Sequence, residues 1–525
     1  MHLRLRPVIA CAALLGGTLV ALSGTAAQAA TTRYEAETSP AVCTGAVETE
    51  WSGYSGSGYC NATNAVGAYA QVTVSAPAAG TATVAVRFAN GTTTARTANI
   101  IVNGTTVSTA SFEGTSTWTG WTTKTLTVPV ASGSNTIQLN PTTANGLPNV
   151  DYLDVTPPEG TTTPPASGAL YVSPSGTDSA AGTIDAPTTL TSAISKVGSG
   201  GTIYLRGGTY TYSSTVTIPA GSNGTSSART LLSAYGSEKP VLNFSAQSES
   251  SSNRGIQLNA NYWRIYGLTV ERAGDNGIYV GGSNNVIERT VTRYNRDTGL
   301  QLGRIASSTP SSDWPANNLI LSAESHDNAD SDGEDADGFA AKLTTGSGNV
   351  FRYAVSHNNI DDGWDLYTKT DTGAIGPVTI EDSLSYDNGT LSDGSQAGSG
   401  DRNGYKLGGD DIAVNHVVRR SIAFENGKHG FTWNSNPGTM TISNNLSIAN
   451  TERNFNFDGG TSVFRNNTSC DSGSSDRYVG DADSSNQFWS GTDGSRCSAY
   501  SGALAWSFAS DGTLVVTIGG TKVTL

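Results

Sequence analysis

NGIYVGG (276–282), TGLQLG (298–303), DGFAAKL (337–343), DGWDLYT (362–368), NGYKLGG (403–409), HGFTWNS (429–435) and the degenerate RNFNFD (453–458) share one pattern, in which a glycine precedes a large apolar residue. The aligned positions are 277, 299, 338, 363, 404, 430 and 454, separated by 22, 39, 25, 41, 26 and 24 residues. Four of these intervals share a base period. The other two read as the same period with a loop of roughly fifteen residues inserted. Between the glycines runs a second repeat, from NNVIERTVTRYN (284–295) to TMTISNNLSIAN (439–450), whose copies end in asparagine at 295, 328, 359, 388, 426 and 450. A period of 22–26 residues with two or three short strands per copy predicts a parallel β-helix, each turn stacked on the last. The recurrent asparagines read as an internal ladder, their amides bonding the backbone of adjacent turns where the chain bends.

Stacked turns place equivalent positions about 4.8 Å apart. One position after the glycine come Ile278, Leu300, Phe339, Trp364, Tyr405, Phe431 and Phe455, an inward apolar stack. The position before it carries Asp337, Asp362 and Asn403, and the second position after it carries Asp365 and Lys406, facing outward by alternation. Asp337 is therefore expected beside Asp362, with Asp361 and Asp365 flanking it. Four carboxylates on two adjacent turns repel one another unless a cation sits among them. Ca²⁺, which takes 6–8 oxygen ligands in flexible geometry, suits such a cluster better than Mg²⁺. The competing reading is a solvated acidic surface. Lys406, one turn beyond Asp365, reads either as a base or clamp for an anionic substrate, or as a surface lysine offsetting the carboxylates. Arg402 reads as a substrate contact or as the counter-charge of Asp401. Asp410 and Asp411 read as turn residues, and His326, His357 and His429 as structural or exposed.

Composition bounds the rest. Charged residues are 14% of the 525, and 62 are glycine, which is poor material for long helices and good material for short strands and turns. Lys+Arg is 30 against Asp+Glu 44, a net charge of −14 that excludes counterion-driven binding of nucleic acid. Arg4 and Arg6, the apolar run Val8 to Ala21 and the Ala27-Gln28-Ala29 cleavage pattern make residues 1–29 a signal peptide and the chain a secreted protein without a membrane span. Cys11 leaves with that segment. Cys43, Cys60, Cys470 and Cys497 remain, an even number that suits disulfides, and local pairing predicts Cys43–Cys60 and Cys470–Cys497. A Pro/Thr-rich linker at 158–168 divides a unit at 30–157 from the repeat-bearing unit at 169–525. Nothing in the repeats signals an obligate oligomer, so a monomer is expected.

The first unit alternates with period two in AYAQVTVSA, ATVAVRFAN, TANIIVNG, KTLTVPV and NTIQLNP, which predicts a β-sandwich. Its opening YEAE (34–37), its WTGW (118–121) and its closing NVDYLD (149–154) resemble the family-35 carbohydrate-binding modules. That resemblance implies a structural Ca²⁺ held by Glu35, Glu37 and Asp154, and sugar contacts from Trp118, Trp121 and Asn149. In the second unit, DGFAAKL, DDGWD (361–365), NGYKLGG and the opening GTIDAPTTLTSAISKVGSGGTIYLRGGTY (182–210) resemble the family-9 polysaccharide lyases across 169–500. This family comprises pectate lyases, with some members acting on rhamnogalacturonan. Departures lie in loop lengths, notably 387–402, and in the tail after 500. The resemblance implies an all-β chain with a right-handed parallel β-helix as catalytic domain, Lys406 as catalytic base and Ca²⁺ bound by Asp337, Asp361, Asp362 and Asp365. The expected substrate is polygalacturonate of the plant cell wall, cleaved by β-elimination at alkaline pH, where more of the lysine is free amine.

Three other functions compete. A rhamnogalacturonan lyase would keep the same base and ion. A polygalacturonase-type hydrolase would use Asp361 or Asp362 as acid and base, need no Ca²⁺ and leave Lys406 without a role. A non-catalytic wall-binding β-helix would show polar columns without a coherent cation site.

Overall fold

The computed structural model describes residues 31–76, 80–131, 133–156, 168–396 and 398–525. The signal peptide at 1–29 and linker residues 158–167 lie outside them. The chain forms two compact units, divided between Glu159 and Gly160.

The first unit is a sandwich of two antiparallel sheets. One sheet orders the strands Gly45–Glu48, Tyr59–Ala62, Asn149–Thr156, Gly80–Ala89 and Thr122–Val130, with Thr32–Glu35 also pairing along Asn149–Thr156. The other orders Val42–Cys43, Ala70–Ala76, Gly133–Pro141, Arg96–Val102 and Thr105–Phe112. The period-two alternation places Val72, Val74, Val84, Val86, Ile100, Ile137 and Leu153 between the sheets, all nearly or fully buried. Cys43 and Cys60 are joined, as expected.

The second unit is the right-handed parallel β-helix. Its faces advance in register: Thr230–Ala234, Trp263–Tyr266, Val286–Glu288 and Leu319–Leu321 follow one another along one face. Ile278–Val280, Leu300–Leu302, Phe339–Ala341, Trp364–Asp365 and Tyr405–Lys406 follow along a second. Val355–His357, Leu384–Tyr386, Ile422–Phe424 and Leu446–Ile448 follow along the third. The helix Leu190–Lys196, N-capped by Thr189, buries Leu190, Ala193 and Ile194 against the first turn. No helix among the described residues is long and apolar enough to cross a membrane.

Three columns hold the turns together. The expected apolar stack is present: Phe339, Trp364, Tyr405, Phe431 and Phe455 are fully buried, with successive ring centroids 4.9, 4.8, 4.6 and 5.1 Å apart. The asparagine ladder is also present. Nδ2 of Asn328, Asn359, Asn388 and Asn426 donates to Oδ1 of the next asparagine at 2.7–2.9 Å, ending on Asn450. A second ladder at another corner, Asn445 to Asn467 to Asn486, was not read from sequence. The glycine column is explained by the ladder beside it. A Cβ on Gly363 would lie 2.1 Å from Ser385 Oγ, 2.6 Å from the Gly404 carbonyl and 2.9 Å from Asn388 Nδ2. No side chain fits there.

The sequence reading runs the β-helix to 525, and here the structure differs. Parallel stacking ends at Arg477–Ala482. Residues 504–522 form a small antiparallel sheet whose Val516 and Ile518 pack on Val355, Leu384, Ile422 and Leu446. The Cys470–Cys497 disulfide fastens this tail to the last turns. The tail lacks the glycine and asparagine columns that stacking requires.

Asn388→Ala removes one rung and leaves the buried Asn359 backbone N–H on the preceding turn without its acceptor, while Asn426 Oδ1 keeps the N–H of residue 388. Each orphaned group costs roughly 1–3 kcal/mol. Urea unfolding of the β-helix should show a lower midpoint with an unchanged m value, and a midpoint within error of wild type would refute the ladder's structural role.

Candidate active site

Register builds the site. Ala340, Asp365 and Lys406 occupy one column of three paired strands. Both long insertions loop away without disturbing that register, as the repeat predicts.

Oxygens of Asp337, Asp362 and Asp365 lie within 4.8 Å of one another, and all three residues are buried. Asp337 Oδ2 accepts from Thr298 Oγ1 at 3.0 Å and from Lys342 Nζ at 2.7 Å. Asp362 Oδ1 accepts from the Asn403 backbone N–H at 2.6 Å and from its Nδ2 at 2.9 Å. Asp365 Oδ1 accepts from the Tyr367 N–H at 2.9 Å. Asp362 Oδ2 is buried and accepts no hydrogen bond, though it faces Lys406 Nζ at 3.3 Å. Three converging carboxylates with an orphaned buried oxygen are a donor set that fits a hard divalent cation.

Asp361, predicted as a fourth member, is placed differently. Its Oδ1 accepts the backbone N–H groups of Asp401 and Arg402, so the carboxylate anchors the end of the 388–402 insertion. Its charge still bears on Asp362 and Asp337. Lys406 is 12% exposed at its side chain, 2.9 Å from Asp401 Oδ2, with its ammonium 5.6 Å from the centre of the Tyr367 ring.

Crowding sets the electrostatics. Burial first, and then neighbouring carboxylates, push Asp337 and Asp361 well above the usual carboxylate range and Asp362 to about 6. Burial also works against charge on Lys406, but Asp365, Asp362, Asp401 and Asp361 outweigh it and hold the ammonium above a lysine's ordinary range. A bound cation and the Arg402 guanidinium would favour the free amine, whereas the aspartates favour the ammonium. Without an ion, the aspartates win. Asp401 is also raised by burial, but Lys406 and Lys428 overcome this and draw it down to about 2.

Arg402 does not pair with Asp401, whose partners are Lys406 and Lys428. Its stem packs on Gly389 and Gly427, and its Nε is buried without a partner. Asp410, read as a turn residue, has φ 51° and also accepts from Tyr367 Oη at 2.7 Å, fixing the ring near Lys406. His326 and His357 are structural, stacked 4.8 Å apart and continued by Tyr386. Burial pushes His429 down to about 4. The residues missed from sequence are Lys342, Thr298, Asn403 and Tyr367. All four stand inside the quoted motifs, and for Lys342 and Tyr367 nearness to conspicuous aspartates was the available signal.

In the first unit, Glu35 and Glu37 lie at a turn with Asp151, not with Asp154. Ser55 joins them, its N–H to Asp151 Oδ1 at 2.9 Å and its Oγ to Glu35 Oε1 at 2.8 Å, while Glu37 Oε1 takes the Ser57 N–H at 3.0 Å. Glu37 Oε2 is buried without a hydrogen bond, and Asp151 Oδ2 is paired with the Arg87 guanidinium. Asp154 is directly opposite Arg33 in the strand pairing and is held by it at 2.8 and 3.0 Å. A β-bulge lies between Val150 and Tyr152. Trp121 is committed to the fold, its Nε1 donating to the Ser52 carbonyl and its ring edge-on to Tyr59. Trp118 is half-buried against Gly91, under the Arg96 guanidinium. Asn149 is buried at the start of its strand, opposite Ala89.

The β-helix thus sets a buried aspartate cluster against Lys406 in the neighbouring strand of the same column. Residues 170–467 match the family described as Pel9A-like, right handed beta helix region, and residues 32–158 match the carbohydrate binding module of family 35. Pectate lyase L of Paenibacillus polymyxa is 56% identical over 352 residues, 66% of this chain and 78% of that one. Pectate lyase PEL9 of Emericella nidulans is 37% identical over 350 residues, 60% of this chain and 82% of its own. The crystal structure of pectate lyase Pel9A aligns with a TM-score of 0.56 at 31% identity, covering 66% of this chain and 86% of that one. The chain belongs to the Pel9A-like β-helix family, as a polysaccharide lyase carrying a family-35 carbohydrate-binding module.

A carboxyl raised to about 6 favours the folded state below its unfolded value near 4, and that contribution is lost as pH climbs through 6. In metal-free protein, Asp362→Asn should therefore raise stability by about 2 kcal/mol at pH 7.5, with the gain fading towards pH 4. Thermal melts at the two pH values measure this. An equal effect at both would show that Asp362 is not electrostatically strained.

Proposed function

We propose that the protein is a secreted, Ca²⁺-dependent pectate lyase that cleaves 1→4-linked polygalacturonate by β-elimination, with Lys406 as the base. The observation that carries this is the single column placing Lys406 one strand beyond Asp365, with its Nζ 3.3 Å from Asp362 in the carboxylate trio. Secretion rests on the leader-like residues 1–29.

Asp337, Asp362 and Asp365 would hold the ion, with Asp361 beside them. Bound Ca²⁺ would supply the positive charge that offsets the substrate carboxylate as negative charge builds up next to C5. Lys406, as free amine, takes the C5 proton; the C4–O bond breaks, its electron pair leaving with the oxygen, and C4=C5 forms. Asp401 and Tyr367 orient the amine from either side. Because Asp365, Asp362 and Asp401 favour the ammonium, the working form grows in as pH rises, which supports an alkaline optimum. Arg402, with an unpartnered buried Nε, is the candidate to meet a neighbouring uronate. In the module, Glu35, Glu37 and Asp151 would hold a structural ion. Trp118, rather than Trp121, is the candidate sugar platform, tethering the enzyme to cell wall as a monomer.

Ultraviolet absorbance during incubation with polygalacturonate tests the reaction. The expected result is a rise from unsaturated uronate that chelator abolishes and that Lys406→Ala lowers by about 10²–10⁴-fold. New reducing ends without absorbance would mean hydrolysis. Absorbance from rhamnogalacturonan alone would reassign the substrate. In the module, Asp151→Asn should remove the Ca²⁺-dependent rise in melting temperature while Asp154→Asn keeps it; the reverse would restore the sequence reading.

A further inference from the structure

Lys342 has no part in the reaction above, yet it is built into the same cluster. It lies five residues after Asp337, at the end of the strand Phe339–Ala341, and is 9% exposed. Its ammonium is 2.7 Å from Asp337 Oδ2, 3.4 Å from Asp365 Oδ2 and 3.5 Å from the Asp335 carbonyl. The two lysines of the site thus divide its carboxylates: Lys406 takes Asp362 and Asp401, and Lys342 takes Asp337 and Asp365. Asp337 and Asp365 are also two of the three residues whose oxygens converge. An ammonium and a divalent cation compete for the same carboxylate oxygens, and their like charges repel strongly where water is excluded.

We propose that Lys342 is a positioning residue that acts as a built-in competitor of the site's Ca²⁺. Its ammonium keeps Asp337 and Asp365 aimed inward while no ion is bound, and gives up both carboxylates as the ion enters. This inference rests on the calcium reading of the same site. Its consequence is an ion affinity lower than the carboxylates alone would give, so that occupancy follows the surrounding Ca²⁺ concentration. A lysine that merely supported the fold would do the opposite, since its loss would disorder the carboxylates and weaken binding.

Calorimetric titration of the full chain with Ca²⁺ alone separates these cases. Asp337→Asn serves as the baseline, because it leaves the module's site in place. Wild type should show a binding event that this baseline lacks. Lys342→Met should bind in that event at least about tenfold more tightly, as expected for removing a nearby like charge. Lys342→Arg, which keeps the charge, should stay close to wild type. Unchanged or weaker binding by Lys342→Met overturns the inference and leaves the calcium reading intact. A wild type that matches the baseline overturns both. If Lys342→Met does not fold, amine-reactive labelling of wild type read by mass spectrometry replaces it. Added Ca²⁺ should then make Lys342 more reactive, and unchanged or reduced labelling contradicts displacement.

Discussion

Parallel pairing of each strand with its counterpart one turn later is the constraint on which the rest of the molecule depends. It forces like positions to stack about 4.8 Å apart, so every residue choice is repeated in a column. An apolar position becomes the aromatic stack from Phe339 to Phe455, and an asparagine becomes a ladder in which each amide satisfies the next turn. The glycine column follows from the ladder, since a Cβ at Gly363 would strike three atoms of the neighbouring strands. The scaffold is rigid because its polar groups are satisfied from turn to turn.

The same stacking that stabilises apolar and amide columns is unfavourable for charge. Asp337 and Asp362 on adjacent turns, with Asp365 in the next column, are forced together in buried surroundings. A surface cluster would relax into solvent, but this one is held by Thr298, Asn403 and the Tyr367 backbone. The resulting strain is what suits the site to a cation and keeps its two lysines charged when none is bound. Chemistry and fold therefore share one cause.

Most of the β-helix was legible because the repeat carries its own register. Once Gly363 and Gly404 are aligned, Asp365 must neighbour Lys406, and the structure pairs them so. What stayed hidden was a matter of partners, which a column does not report. Lys342 stands in DGFAAKL where the adjacent copies carry Gly303 and Tyr367, and its partner Asp365 belongs to a different turn. Asp361 was counted with the cluster because it adjoins Asp362, but its Oδ1 is taken by the N–H groups of Asp401 and Arg402, which belong to an insertion outside the repeat. Asp154 was expected from the likeness of the closing segment NVDYLD, which holds two aspartates and does not say which of them lies beside Glu35. The tail beyond 500 has neither glycine nor asparagine column; it packs by apolar contact along Val516 and Ile518 and by hydrogen bonds such as Trp506 Nε1 to Tyr386 Oη.

The pH dependence of kcat on polygalacturonate at saturating Ca²⁺, for wild type and Asp401→Asn, tests most directly whether a lysine tuned by facing carboxylates performs the chemistry. Asp401 contacts Lys406 at 2.9 Å and favours its ammonium. If Lys406 is the base, the alkaline-rising limb should move to lower pH when that charge is removed, because the free amine then forms earlier. Identical limbs in the two proteins would contradict Lys406 as the group that takes the proton.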